Sequence, residues 1–493
     1  MDHNKTPYFT KLVEYNNKNA AHFDVPGHKM GAIKDDFYQY VGPNVLSIDL
    51  NAPRGLDNLS NPKGVIKEAQ DLMADAFGAD GAFLLTQGTS QGIMAMITAT
   101  VKAKEKILIP RNVHKSIING LILSGAIPVF IKPQMDINLG IANGVTVADV
   151  KACIEEHPDA KAILIINPTY FGVASNIKQI VKLAHQAQMV VLIDEAHGSH
   201  FAFHSDLPPS GIQAGADVAA CSLHKTVGSL TQSSILLTKG DKVSHGRIRT
   251  ILNILSSTSP SSLLMASLDC ARKNIYFNGP KELERVIKLA QATRERINKI
   301  KGVEAILPEY FTKGKEFEYD LTKIIIKVSD LGITGFEAYK EMFDDSKVQL
   351  ELAETHILLA IFSMGSTQAD AEALIKGLEA LSNKHQNNQK EIKAIIADTY
   401  PESYIRPREA AAHAPVKFVK LADAVDEIAA ESIMIYPPGI PIVIPGEILS
   451  QDVIEDLYFY ADQGSTILSD TDGDLIKVID KDNWHRWENE NEL

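Results

Sequence analysis

Short apolar runs recur between helical stretches over residues 82–237, and nearly every one is followed at once by polar residues. The runs include Ala82–Leu85, Lys106–Ile109, Ile127–Ile131, Ala162–Ile166, Met189–Ile193 and Val218–Cys221. They are too short for helices and are continuous rather than alternating, which is the pattern of strands buried on both faces of a mainly parallel sheet. Helical spacing between them, as at Val65, Ile66, Ala69, Leu72, Met73, Ala76 and Phe77, supplies covering layers. Polar residues stand just beyond the C-terminal ends of the strands: Gly88 and Thr89, His114, Asn167, Asp194, and His224 with Lys225. In open α/β sheets that rim binds ligands. The expected class is therefore α/β, with chemistry gathered at one sheet edge.

A chain of 493 residues is expected to hold more than one domain. Residues 1–50 read as an N-terminal arm with a Pro/Gly-punctuated loop, His22–Gly31, in which His28 and Lys29 are candidate polar contacts. Residues 51–295 read as the large domain and 296–390 as a small α/β domain. The latter has strands at Thr322–Ile326 and Leu358–Ile361 and a helix at 367–381; a long helix at 282–300 leads into it. A charged, Asn/Gln-rich linker at Ser382–Glu391 leads to a C-terminal module, 391–493, centred on Tyr436–Glu447. Trp484 and Trp487 are placed to anchor its tail.

A net charge of −13 argues against a nucleic-acid partner and suits a cationic substrate. Cys153, Cys221 and Cys270 form neither a disulfide framework nor a zinc pattern. The polar N-terminus and the absence of a membrane-length apolar stretch give the expectation of a soluble, cytoplasmic protein.

Lys225 lies among hydroxylic side chains between two apolar runs, Val218–Cys221 and Ile235–Leu237. An ammonium is costly to bury, and a Schiff base with an aldehyde cofactor removes the charge; pyridoxal 5'-phosphate (PLP) is the commonest such cofactor. PLP also needs an acid at its pyridine nitrogen, a flat group over its ring and donors for its phosphate. Asp194, at the end of a buried strand, suits the first and His114 the second. Thr89, Ser90, Ser222 and His224 are candidate phosphate donors, with the Gly88-Thr89-Ser90 turn opening a helix straight after a strand. Neither a Walker P-loop nor Gly-x-Gly-x-x-Gly is present. His197, His200 and His204 have a spacing that invites a metal. The more economical expectation places His197 near the cofactor and assigns no metal.

Together these motifs resemble the ornithine/lysine/arginine decarboxylases, fold-type-I PLP enzymes with an aspartate aminotransferase-like large domain, a small α/β domain and a C-terminal α+β module. The resemblance is carried by Pro26-Gly-His-Lys29, Gly88-Thr-Ser90, Pro110-Arg-Asn-Val-His-Lys-Ser116, Asn167-Pro-Thr-Tyr-Phe-Gly172, Asp194-Glu-Ala-His197, Ser222-Leu-His-Lys225, Pro437-Pro-Gly-Ile-Pro441 and Pro445-Gly-Glu447. It is nearest to the shorter Gram-positive type that makes agmatine from arginine for spermidine synthesis. It implies that Lys225 anchors PLP, that Asp194 meets the pyridine nitrogen and that His114 stacks on the ring. Ser90 and His224, with nearby hydroxyls, would hold the phosphate, and Ala196 and His197 would lie against the cofactor. It implies further a homodimer or larger homo-oligomer with sites at the interface, where Ser257-Thr258 and the Pro437–Glu447 stretch would act; Glu447 and His28 are candidate substrate contacts. Proton return to the substrate would fall to His224 or Lys225. One departure stands out: the family's Asp-Asp-Leu-His type loop is here Asp57-Asn58-Leu59-Ser60, preceded by Arg54.

The expected activity is decarboxylation of a basic L-amino acid, arginine first, with lysine and ornithine as alternatives. A PLP aminotransferase or aldolase, or a non-catalytic PLP-binding protein, are the readings from other classes.

Overall fold

In the computed structural model the described residues are 1–53, 55–388, 390–392, 401–436, 440–463, 466–471 and 473–484. Arg54, Pro437 to Gly439 and Trp487, singled out above, lie outside them. The chain divides into two compact, discontinuous units: residues 1–100 with 190–285 and 363–365, and residues 101–189 with 286–362 and 366–493.

The first unit is built on four strands in the order Gly81–Leu85, Ser234–Thr238, Val218–Cys221 and Val190–Glu195. The first two pairings are antiparallel and the last is parallel. Two reversals leave Gly81–Leu85 running the same way as Val218–Cys221, so three strands end at one edge, where Ser234 begins its own. Register fixes that edge: Leu85 lies opposite Ser234, Ile235 opposite Cys221, and Cys221 opposite Glu195. The two middle strands are buried along their whole length, as the unbroken apolar runs require. Helix Gly88–Thr100 packs closely here because Gly92 has no side chain; a Cβ there would lie 2.8 Å from Leu85 Cδ1 and 3.5 Å from Ala220 Cβ. Helix Pro7–Asn16 buries Tyr8 and Leu12, and Asp269 accepts the Tyr8 N–H at 3.0 Å.

The second unit contains three parallel strands, with Lys106–Pro110 between Ala162–Ile166 and Ile127–Ile131. It also contains an antiparallel sheet, Glu304–Ala305, Lys323–Lys327, Ile357–Ile361 and Leu352–Ala353. Helices Gly335–Asp344 and Gln368–His385 bury Ala338, Met342, Leu374 and Leu378 in the same core as Ile324, Ile326 and Leu358. Its last portion packs helix Gln451–Asp462 in one core with strands Ile433–Tyr436, Ile440–Val443 and Leu475–Ile479, through Val453, Leu457, Ile433, Val443 and Val478. Trp484 is buried with Ala410, Ile428 and Ile479.

The helix expected at 282–300 runs Ser262–Ile297 and carries Pro280 inside it. Gly279-Pro280 reads locally as a break; here the helix continues through it, with the Gly279 position close against Ile275 and Phe203. Among the described residues no helix is long and apolar enough to cross a membrane.

Candidate functional site

The shared edge of the first unit gathers the chemistry. Ser222 precedes the four-residue helix Leu223–Thr226, but its hydroxyl does not cap it. Ser222 Oγ bonds to Thr89 Oγ1, which also bonds Ser234 Oγ at 2.9 Å. Three hydroxyls from three different chain segments therefore meet, all buried. Gly88, with φ of +73°, turns the chain into helix Gly88–Thr100. A Cβ there would meet nothing within 4 Å, so backbone conformation rather than space calls for glycine. The first-turn N–H groups of this helix have no intrahelical acceptor, and the positive end of its dipole lies there.

His224 Nδ1 lies 2.8 Å from the Ser233 carbonyl oxygen. A carbonyl only accepts, so the proton sits on Nδ1 and Nε2 keeps its lone pair. Burial pushes the His224 pKa below its ordinary value and the charge of Lys225 adds to this, which keeps the ring neutral at pH 7. Lys225 Nζ lies 2.8 Å from His197 Nε2, and His197 is buried.

Asp194 and Glu195 face opposite ways along their strand. Glu195 is satisfied inside the protein: Oε1 accepts the Gly211 N–H at 2.8 Å and Oε2 lies 3.6 Å from Cys221 Sγ. Asp194 is 4% exposed, and its Oδ1 accepts the Ala196 N–H at 3.1 Å. Its Oδ2 takes no hydrogen bond among the described residues. Burial pushes the Asp194 carboxyl above the usual carboxylate range, while the Ala196 N–H and Lys225 pull it down. A buried acid with one uncommitted oxygen is made comfortable as an anion by a cationic N–H.

These residues fit PLP. An amine, a buried acid, three clustered hydroxyls and a helix N-terminus converge on one edge, and the donors match a phosphate dianion. Lys225, Asp194, His197, Thr89, Ser222 and Gly88 are brought to that edge, with Ser90 in the first turn of the same helix. Ser234 and Ser233 join them, and sequence reading missed both. The available signal was Ser233-Ser234 standing at the start of the next apolar run.

Other expected residues are placed elsewhere. His28 is held by Asp49, Nε2 to Oδ2 at 3.1 Å, and its Nδ1 accepts the Gly31 N–H. Thr258 is exposed in the loop after helix His245–Leu255. The three histidines do not gather around one point: His204 Nε2 bonds Glu284 at 2.9 Å, while His197 bonds Lys225. Donor atoms of His204, Asp206 and Glu284 do lie within 4.8 Å of one another, and there His204 and Glu284 already bond each other. In the Asp57–Ser60 loop the departing residues are Asn58 and Ser60; Asp57, which keeps the family's pattern, has a structural use. The Asp57 carboxylate accepts N–H groups from Asn58, Lys63, Gly64, Ile66 and Lys67, closing the start of helix Val65–Phe77.

In the second unit, His114 precedes helix Lys115–Ser124, and its Nδ1 accepts the Ser116 N–H at 3.1 Å, leaving Nε2 as the protonated nitrogen. Glu447, expected as a substrate contact, has partners within the protein. It is 1% exposed, and its carboxylate is committed to Arg111: Nη2 to Oε2 at 2.9 Å and Nε to Oε1 at 3.3 Å. The Ile444 N–H also bonds Oε2, at 2.8 Å. Arg111 further donates to the carbonyls of Pro441 and Ile442.

Residues 6–370 match the family model "Orn/Lys/Arg decarboxylase, major domain", and residues 389–465 match the corresponding C-terminal domain. The chain is 44% identical over 484 residues to an arginine decarboxylase of Bacillus subtilis (strain 168), covering 97% of this chain and 99% of that one. Among solved structures, a lysine decarboxylase of Francisella novicida, LdcF, superposes with a TM-score of 0.82 at 22% identity, over 96% of this chain and 81% of that one. A structure of SPT with PLP superposes with a TM-score of 0.52 at 17% identity, over 65% of this chain and 76% of that one. These likenesses show the fold-type-I architecture.

Proposed function

Since the chain belongs to the Orn/Lys/Arg decarboxylase family, we propose that it is a PLP-dependent enzyme that converts L-arginine to agmatine and CO2. The observation that carries the reading is the edge at which Lys225, Asp194 and the Thr89–Ser222–Ser234 hydroxyls converge. The choice of arginine over lysine or ornithine is supported by the 44% identity to an arginine decarboxylase across almost the whole of both chains.

PLP, when bound, supplies an aldehyde carbon for an amine and a ring that takes up the electron pair left as CO2 departs. Lys225 is the amine that holds the cofactor between turnovers. Asp194 keeps a proton at the ring nitrogen, its burial making the anion depend on that partner. The Thr89, Ser222 and Ser234 hydroxyls, with the first-turn N–H groups of helix Gly88–Thr100, bind the phosphate. His224 is neutral, with its proton fixed on Nδ1. It can donate from Nε2 only after taking up a proton, which a phosphate dianion favours. His114 is assigned to the ring face by the family resemblance alone. The substrate class is a basic amino acid, and a homodimer or larger homo-oligomer is the assembly expected.

The test is an end-point assay of PLP-loaded protein with L-arginine, L-lysine and L-ornithine offered separately, quantifying CO2 and amine. Agmatine with little product from the others is the expected result. Cadaverine or putrescine as main product overturns the substrate. Absence of CO2 from all three overturns the decarboxylase.

A further inference from the structure

His197 follows strand Val190–Glu195 by two residues, and Lys225 follows strand Val218–Cys221 by four. The strands are parallel neighbours with Glu195 opposite Cys221, so both turns leave from the same level of the sheet. The result is the 2.8 Å contact between Lys225 Nζ and His197 Nε2, with His197 4% exposed. Two nitrogen bases at that separation hold one proton between them. If the lysine is an ammonium, Nε2 must be the acceptor; once Nε2 carries the proton, the neutral lysine nitrogen accepts from Nε2–H.

From this we infer that His197 is the base that takes the proton of the Lys225 ammonium and so makes it the nucleophile that captures PLP. The inference rests on Lys225 as the cofactor's anchor, proposed above. Lysine has an ordinary pKa of about 10.4, so about one in two thousand is a free amine at pH 7. Only the free amine attacks. The proton passes from Nζ to Nε2, and the nitrogen lone pair forms the bond to the aldehyde carbon. The carbonyl oxygen departs as water with the two hydrogens remaining on nitrogen, and a carbon–nitrogen double bond is left. No oxidant or further reactant is needed. His197 serves again whenever a substrate amine displaces Lys225 and the freed lysine must stay uncharged to return.

Asp194, Glu195, Cys221 and His224 stand near the pair with engagements of their own. Asp194 lies on the strand that precedes His197 and is felt by Lys225 as a charge. Glu195 and Cys221 are bonded to each other. His224, on the lysine's own helix, spends its Nδ1 proton on Ser233 O.

The experiment is capture of PLP by apo-protein without any amino acid, followed by absorbance across pH 6–10. The product is fixed with borohydride and located by peptide mapping. His197→Asn and His197→Gln should capture PLP at least tenfold more slowly than wild type at pH 7, within the range of general-base contributions. The gap should close toward pH 10, where the lysine loses its proton unaided. Imidazole should accelerate capture by a His197→Ala protein. A gap that is absent, or equal at every pH and insensitive to imidazole, overturns the inference, because a merely structural His197 would slow capture uniformly. Cofactor fixed to a residue other than Lys225 overturns both the anchor and this inference. Normal capture with the predicted pH profile but no CO2 from any amino acid supports the inference and overturns only the decarboxylase.

Discussion

Replacing Arg111 by alanine should loosen the segment around Ile444 more than any surface change could. Its guanidinium makes two bonds to the Glu447 carboxylate and one each to the carbonyls of Pro441 and Ile442. Both partners of the ion pair are 1% exposed. With Arg111 gone, Glu447 keeps, among the described residues, the Ile444 N–H, and a carboxylate is left in the interior without the Arg111 counter-charge. Breaking a buried pair from one side costs about 3–5 kcal/mol. At about 1.4 kcal/mol per factor of ten, that is roughly 10²- to 4 × 10³-fold faster opening. A chain of two units need not unfold in two states, so the measurement is amide hydrogen exchange at Ile444 and its neighbours rather than a single melting midpoint. A double variant, Arg111→Met with Glu447→Leu, should recover part of the loss. It removes both charges, while the two carbonyls remain without their donor at about 1 kcal/mol or more each. Exchange at Ile444 that quickens less than about tenfold in Arg111→Ala would refute the claim that this pair holds the segment.

Three more outcomes are expected. Asp194→Ala should lower kcat by about 10²–10³, the scale of losing a fixed group that stabilises developing charge; a variant keeping most of its turnover would remove Asp194 from the mechanism. Thr89→Val should weaken PLP binding roughly 5- to 30-fold, because two buried hydroxyls lose their shared partner, and an absorbance titration reads it. Asp57→Ala should cost about 1–2 kcal/mol through lost capping of helix Val65–Phe77. Burial raises the Asp57 carboxyl, but the backbone N–H bonds outweigh it and hold the pKa below the usual value. The stabilisation is therefore complete above the unfolded value of about 3.9 and disappears as pH falls through the lower folded value, so the wild type and the variant should converge in acid.

Local pattern explains what was legible. Unbroken apolar runs marked the strands, and the small and hydroxylic residues beyond them marked the edge where Lys225 and Asp194 stand. The family, the fold class and the decarboxylase expectation were borne out by the matched family model and relatives. Long-range pairing stayed hidden. Glu447 drew notice as an acid, but nothing in its neighbourhood says that Arg111, 336 residues earlier, satisfies it. Ser234 was not singled out, because only register sets it beside Thr89. Asp57 stood in a loop noticed for its departures at Asn58 and Ser60, while its own bonds reach only as far as Lys67. The helix expected at 282–300 is longer, Ser262–Ile297, and runs through Gly279-Pro280, a pair that reads locally as a break.

The Arg111–Glu447 bond also sets a timetable for synthesis. At roughly 5–20 residues per second, roughly 20–70 s pass between translation of Arg111 and of its partner. Through that interval the nascent chain carries an arginine destined for a dry interior with no anion to meet it. The second unit cannot close around that position until Glu447 has been made, and a chain stopped short of Glu447 would hold an orphaned cation where the folded protein has a closed joint.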